Sequence, residues 1–217
     1  MPIDEKTILS TVKEALEKSE KRNFTQSVEL IINLQDVDMK SPEGRIQDNI
    51  ELPHPSPEKK NRICVVATGE LALKARRANA DLVIERAELE GLAGNKKELR
   101  KLAEEYDYFI AEAPLMPLVG KILGPTLGPR GKMPMPVPPT ADIEGMLKRY
   151  RRMVTVRLRN QPVIQCHVGT ENMKEEEITE NIQTILRAIE GKLKKGMKNI
   201  KSICVKTTMG SPVKIKP

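Results

Sequence analysis

The 217-residue chain has no tryptophan and only five aromatic residues, Phe24, Tyr106, Tyr108, Phe109 and Tyr150. Proteins that hold single strands by base stacking present several exposed rings on one surface, and this chain has too few for that mode. Histidine is scarcer still, with His54 and His167 far apart, and neither cysteines nor histidines pair at zinc-ligand spacing. The three cysteines, Cys64, Cys166 and Cys204, are odd in number, widely separated and set in apolar strand patterns. That predicts buried free thiols in a reducing compartment. No apolar run approaches membrane-spanning length, and no early segment combines a basic start, an apolar centre and a small-residue cleavage site. The expectation is a soluble, intracellular protein with no membrane partner.

Enzyme signatures are missing too. Val66-Ala67-Thr68-Gly69-Glu70 has one glycine where a dinucleotide-binding turn needs Gly-x-Gly-x-x-Gly. Gly128-Pro129-Arg130-Gly131-Lys132 has the wrong spacing for a phosphate loop, and its proline removes an amide donor. Cys166 and His167 are adjacent on a strand, so they point to opposite faces and are badly placed as nucleophile and base. Glu175, Glu176 and Glu177 read as the solvated first turn of a helix. No catalytic residue, metal ligand or cofactor follows from any of these. A nucleotide-dependent enzyme or ligand-binding protein is kept as the alternative, because an alternating α/β segment is present.

What the chain does have is positive charge. Thirty-seven Lys and Arg against 30 Asp and Glu give +7 and a pI near 9.3, which favours an acidic partner such as nucleic acid. Two concentrations stand out. Lys148, Arg149, Arg151, Arg152, Arg157 and Arg159 fall in twelve residues without an acid, and eight lysines with no acid run from Lys192 to the C-terminus. With few rings available, recognition of RNA would rest on shape, phosphates and 2′-hydroxyls.

Ile8, Leu9, Val12, Ala15 and Leu16 recur at helical spacing after Asp4, a candidate N-cap. Ser27 to Leu34 and Arg45 to Leu52 read as strands. Pro53, Pro55 and Pro57 then make a stiff linker, a domain boundary. Beyond it, strands Arg62–Ala67, Leu82–Ile84 and Tyr108–Ala111 alternate with helices Glu70–Ala78 and Lys96–Glu105, followed by a helix over Leu115–Leu123. Strand, helix, strand, helix, strand implies right-handed crossovers and a three-layer, Rossmann-like α/β domain. Leu123 to Pro139 is so interrupted by proline and glycine that neither regular helix nor central strand is expected there.

Thr140 is expected to cap a helix from Asp142 to Arg149, and Met153–Leu158 to form a hairpin with Pro162–Val168 across Arg159-Asn160-Gln161-Pro162. Asn172 and Glu175 suggest a capping box for a helix with the apolar stripe Ile178, Ile182, Ile185, Leu186, Ile189 and Leu193. The final strand, from Ile200, ends in Thr207-Thr208-Met209-Gly210, a small hydrogen-bonding patch within basic surroundings. Neither terminal half can close a core alone. The organisation expected is a discontinuous α+β domain, 1–55 with 154–217, and an inserted α/β domain, 56–153, joined by two crossings that permit hinge motion. No internal repeat and no coiled coil is evident.

Three stretches carry a family resemblance: Asn23-Phe24-Thr25-Gln26-Ser27-Val28-Glu29-Leu30, the run Leu123 to Pro138 centred on Gly-Pro-Arg-Gly-Lys-Met-Pro, and Thr207-Thr208-Met209-Gly210. Their order and spacing resemble the L-one family of large-subunit ribosomal proteins, in its archaeal branch. The resemblance implies a ribosome-associated cytoplasmic protein, monomeric when free. Its discontinuous domain would bind large-subunit ribosomal RNA at the mobile stalk near the tRNA exit site, with transient tRNA contact and a part in release of deacylated tRNA. It also implies repression of translation through the protein's own messenger RNA.

Carried over by position, Phe24 and Ser27 lie in the first RNA-facing segment, Thr207, Thr208, Met209 and Gly210 in the second, and Gly169 beside them, with Arg22 and Lys206 as phosphate contacts. Two departures stand out: Ser211 separates Gly210 from Pro212, where the family continues Met-Gly-Pro, and Met135 and Val137 replace the Asn and Lys of bacterial relatives. The middle loop reads equally well as a rigid structural loop.

Overall fold

The computed structural model describes residues 4–38, 46–158 and 161–215. The chain divides into two compact units, residues 1–59 with 152–217 and residues 60–151. In the first unit, α1 (Glu5–Glu17) buries Ile8, Thr11, Val12 and Ala15 on one face. Asp4 stands at its N-cap but caps with its main-chain carbonyl, and its carboxylate makes no capping bond. In β1 (Ser27–Leu34) every second residue, Val28, Leu30, Ile32 and Leu34, is buried, the signature of a sheet covered on one side. β2 (Gln47–Glu51) follows, while Arg45 and residues 39–44 of the expected strand and connection lie outside the described residues.

The second unit runs β3 (Ile63–Val66), α2 (Gly69–Arg77), β4 (Leu82–Ile84), α3 (Arg86–Gly91), α4 (Lys96–Glu105), β5 (Tyr108–Glu112), α5 (Met116–Ile122), α6 (Gly124–Leu127), β6 (Met135–Val137) and α7 (Ile143–Tyr150). Its four strands are parallel, in the order β4-β3-β5-β6. The continuous apolar run of β3 is buried throughout, as a central parallel strand requires. Cys64 and Val66 pack with Leu89 of α3, Leu99 and Ala103 of α4, Val119 of α5 and Leu127 of α6. α2 and α7 pack together outside that cluster, and Tyr150 of α7 meets Tyr108 of β5 edge-on with centroids 5.4 Å apart.

Three details differ from expectation here. α3 carries no strong sequence signal, being six residues long with one buried leucine. The Pro/Gly stretch does hold a short helix, with Pro125 in the first turn of α6, where no amide donor is needed; its strand β6, carrying Pro136, lies at the sheet edge, in keeping with the expectation that it holds no central strand. The cap of α7 is Asp142, whose carboxylate accepts from the Gly145 N–H at 3.1 Å, rather than Thr140.

The chain returns to the first unit with β7 (Met153–Arg157), β8 (Val163–Thr170), α8 (Glu175–Glu190), β9 (Ile200–Thr207) and β10 (Val213–Ile215). The expected β7–β8 hairpin is not formed. β7 pairs antiparallel with β2 in a two-stranded sheet, whereas β8 joins an antiparallel sheet in the order β10-β9-β1-β8. The period-2 pattern told which face of each strand is buried, but a period carries no information about the partner. The turn residues Arg159 and Asn160 lie outside the described residues. α1 and α8 pack against each other and close the core with Leu30, Ile32, Ile164, Val168, Ile203 and Val205. α8 starts at Glu175 with Lys174 as its N-cap; Asn172, the expected cap, instead donates to Glu58 at 2.6 Å.

Candidate functional site

β1 begins and β9 ends at the same edge of the first unit, because their antiparallel register closes with Val28 opposite Thr207. One residue beyond, the Ser27 N–H donates to Thr208 Oγ1 at 3.0 Å and the Thr208 hydroxyl donates to the Ser27 carbonyl at 3.3 Å, across 181 residues of sequence. The hydroxyl therefore extends the main-chain ladder by one rung and keeps a lone pair for an outside donor. Phe24 is 50% exposed and Met209 61%, and among the described residues of this unit they are the only large hydrophobic side chains so exposed.

Beneath this surface lies Gln26, 0% exposed. Its N–H donates to Glu171 Oε1 at 3.0 Å, and its Nε2 donates to Ser19 Oγ at 2.8 Å, to the Glu20 carbonyl at 2.9 Å and to Glu171 Oε2 at 3.3 Å. Its Oε1 accepts from the Met209 N–H at 3.1 Å, and its carbonyl accepts from the Glu171 N–H at 3.0 Å. Sequence reading passed over Gln26, Ser19 and Glu171. A glutamine in a polar run has no pattern that marks it as buried.

Of the residues expected in the site, Arg22, Phe24, Ser27, Thr208, Met209 and Gly210 gather at this edge, with Lys206 one rung along β9. Arg22 is held near the surface by Glu20 at 2.8 Å. Lys206 lies opposite Glu29 of β1, which in turn lies opposite His167 of β8. Thr207 is 0% exposed: its hydroxyl donates to Ser19 Oγ at 2.9 Å and accepts from the Gly210 N–H at 3.1 Å. Its chemistry is directed inward, to holding the turn. Gly210 has an ordinary negative φ and is small because a Cβ there would collide with Thr207 Oγ1. Gly169 also faces inward, where a Cβ would stand 3.0 Å from Ile178 Cγ1 and 3.1 Å from Met173 Sδ. Its place is to let α8 approach the sheet.

On the sheet face away from α1 and α8, burial lowers the pKa of His167 to about 4, with Lys59 adding to the shift, and neither ring nitrogen has a hydrogen-bond partner among the described residues. Burial pushes the Cys64 and Cys166 thiols up to about 12, so both are inert.

In the second unit, the place where a nucleotide phosphate would dock is filled from within. Glu112, at the C-terminal end of β5, accepts from the Thr68 N–H at 2.9 Å and the Thr68 hydroxyl at 2.8 Å, at the N-terminus of α2. A carboxylate thus occupies the amide that an incoming anion would need. The Gly/Pro loop engages its cations within its own unit, Lys132 inward and Arg130 at the surface. Lys132 donates to the Ala103 and Tyr106 carbonyls at 3.1 and 2.7 Å, capping α4, and Arg130 meets Glu104 at 2.8 Å. Burial lowers the Lys132 pKa, partly offset by Asp107. Among the described residues no cluster of His, Cys, Asp or Glu is set to hold a metal, and no helix is long and apolar enough to cross a membrane.

Residues 16–211 match the sequence model of the ribosomal protein L1p/L10e family. The chain is 51% identical over 214 residues to the large ribosomal subunit protein uL1 of Hyperthermus butylicus, covering 99% of this chain and 98% of the relative. It is 51% identical over 217 residues to that of Pyrococcus abyssi, covering 100% and 98%, and 49% identical over 208 residues to that of Methanothermobacter thermautotrophicus, covering 96% and 98%.

Proposed function

Because the chain belongs to the ribosomal protein L1p/L10e family and is a protein of the large ribosomal subunit, not an enzyme, we propose that it binds large-subunit ribosomal RNA at the mobile stalk. The two compact units act as domains: the discontinuous one carries the RNA surface and the inserted one does not. Arg22, Phe24, Ser27, Lys206, Thr208, Met209 and Gly210 make the surface, with Thr207 and Gly169 holding its frame. The observation that carries this is the Ser27–Thr208 rung, which joins two segments 181 residues apart and presents exposed Phe24 and Met209 beside main-chain and hydroxyl groups.

Such a surface suits a folded RNA. Phe24 and Met209 pack on sugar or base faces, and the remaining Thr208 lone pair accepts from a 2′-hydroxyl. Lys206 and Arg22 neutralise phosphates, which makes affinity salt-dependent. In the ribosome the same contacts hold the stalk that moves as deacylated tRNA leaves, with tRNA touched transiently. A similar fold in the protein's own messenger competes for the surface and represses translation.

A salt-titrated binding assay tests the reading with three ligands: a large-subunit stalk fragment, an unrelated folded RNA and duplex DNA. Preference for the stalk fragment at every salt concentration is expected. Equal, steeply salt-dependent binding to all three would reduce the protein to a generic polycation and overturn it. The rival, a nucleotide-binding α/β domain, predicts saturable thermal stabilisation by a nucleotide, against which the Glu112–Thr68 contacts stand.

A further inference from the structure

The proposed RNA surface is built from two strand ends with no regular structure of their own beyond β1 and β9, yet a folded RNA can select it only if both ends keep one fixed relation. Main-chain pairing between β1 and β9 stops at Val28 and Thr207, while on the β8 side it continues through Ser27 opposite Thr170 to the Gln26 carbonyl, which accepts from the Glu171 N–H. Past that point, the position of Phe24 depends on the chain entering β1, and that of Met209 on the turn leaving β9. One side chain bonds to both sides of this junction, below the Ser27–Thr208 rung.

We propose that Gln26 is the positioning residue of this surface, setting the Phe24 segment and the Thr207 to Gly210 turn in register from below with Glu171 as its anchor. The inference rests on the RNA reading and deepens it, since Gln26 is fully buried and acts only through its neighbours. From the start of β1 its side-chain amide reaches three other pieces of chain: the residues after α1 (Ser19 and Glu20), the β8–α8 connection (Glu171) and the β9–β10 turn (Met209). The orientation of the amide is fixed by chemistry. Met209 offers an N–H, so the oxygen must face it, and the NH2 then faces three acceptors.

No other side chain of this size does the same work. Methionine fills the volume but bonds nothing, leaving the Met209 N–H and the Glu20 carbonyl without their partner. Glutamate still accepts from Met209 but has no donor, and it sets a second carboxylate against Glu171. Around a fully buried side chain in a part-buried network, one missing donor loosens the groups bonded to it, because the Met209 N–H and the facing acceptors lose their partner. Thr207, which shares Ser19 Oγ with Gln26, ties Gly210 to the same network. The surface is therefore preorganised, and RNA binding does not bear the entropy of ordering it.

The test uses the full chain as wild type, Gln26→Met, Gln26→Glu and Gln26→Glu with Glu171→Gln, each at a temperature where melting shows it folded. Affinity is read for a stalk fragment and for an unrelated folded RNA. Both single variants should lower the preference for the stalk fragment by about tenfold or more. Gln26→Met should leave the unrelated RNA and the salt dependence as in wild type, since no phosphate contact is removed. In the exchanged pair, residue 171 supplies the donor and residue 26 the acceptor, while the Glu20 carbonyl still lacks its donor, so the preference should rise severalfold above that of Gln26→Glu without reaching wild type.

Wild-type preference in both single variants overturns the inference. So does a parallel loss for both RNAs, which would mark a purely structural role, or an exchanged pair no better than Gln26→Glu. That last comparison stands even where Gln26→Met fails to fold. Thr208→Val and Met209→Ala, run alongside, separate the two levels. If they leave stalk binding intact the RNA reading itself falls, and if they weaken it while the Gln26 variants do not, only the inference falls.

Discussion

Thr208→Val changes one hydroxyl to a methyl at nearly constant volume and keeps a β-branched side chain. It removes the acceptor for the Ser27 N–H at 3.0 Å and the weaker donation to the Ser27 carbonyl at 3.3 Å. Both residues are half-buried, so in the free protein water replaces much of what is lost. A destabilisation of about 0.5–1.5 kcal/mol follows, for which Tm falls by roughly 2–4 °C per kcal/mol in a chain of this size. Once RNA covers the strand end, water is excluded and the Ser27 N–H has no acceptor. The further loss is about 1–3 kcal/mol, roughly a five- to 150-fold rise in Kd for the stalk fragment. Fluorescence anisotropy against the stalk fragment and an unrelated folded RNA reads both the size and the selectivity of the change. An unchanged Kd, or the same loss for both RNAs, would refute the assignment of the Ser27–Thr208 rung to the recognition surface.

Lys206→Gln should weaken all RNAs alike and lower the slope of log affinity against log salt by about 0.7–0.9; a selective loss at constant slope would contradict a phosphate contact. His167 is neutral in the folded protein down to about pH 4 but protonates near 6.5 when unfolded. The unfolded chain therefore binds the extra proton between those values. Stability from the buried neutral ring is complete above about pH 6.5 and falls, by on the order of 1–3 kcal/mol, as pH drops toward 4. Urea midpoints of His167→Leu should be flatter than wild type between about pH 6.5 and 5, a window above most carboxylate titration. Lys132→Met should speed hydrogen exchange at the end of α4 by removing two carbonyl contacts worth about 1–2 kcal/mol together, and leave stalk binding unchanged; unaltered exchange would deny the loop its anchoring role. A thiol reagent should modify Cys204 in the native protein and reach Cys64 and Cys166 only on unfolding, as mass spectrometry after pulse labelling would register.

Elements with strong periodicity were legible residue by residue. β1 spans Ser27–Leu34 and α4 spans Lys96–Glu105, as the alternation of one and the apolar stripe of the other require. Elements whose ends depend on competition between caps were not. Asp142 displaced Thr140, because several polar residues near a helix start can accept from its first amides, and α8 starts after Lys174, which offers only its main-chain carbonyl, to the Ile178 N–H. The exposed members of the proposed site were read from motif resemblance. Its interior was not, since Gln26 looks like a surface residue until the fold buries it.

The sequence by itself determined the basic character, the alternating α/β segment and the strand faces, which follow from local composition and period, while the two proposed site segments came from motif resemblance. Only the tertiary structure decided which strand pairs with which, and so sent β7 to β2 and β8 to β1. It alone closed the Ser27–Thr208 rung, turned Thr207 and Gly169 inward, set Glu112 on Thr68 at the α2 terminus and gathered three other segments on Gln26. Those outcomes depend on contacts between residues far apart in the chain, and no local pattern of side chains encodes the distance between them.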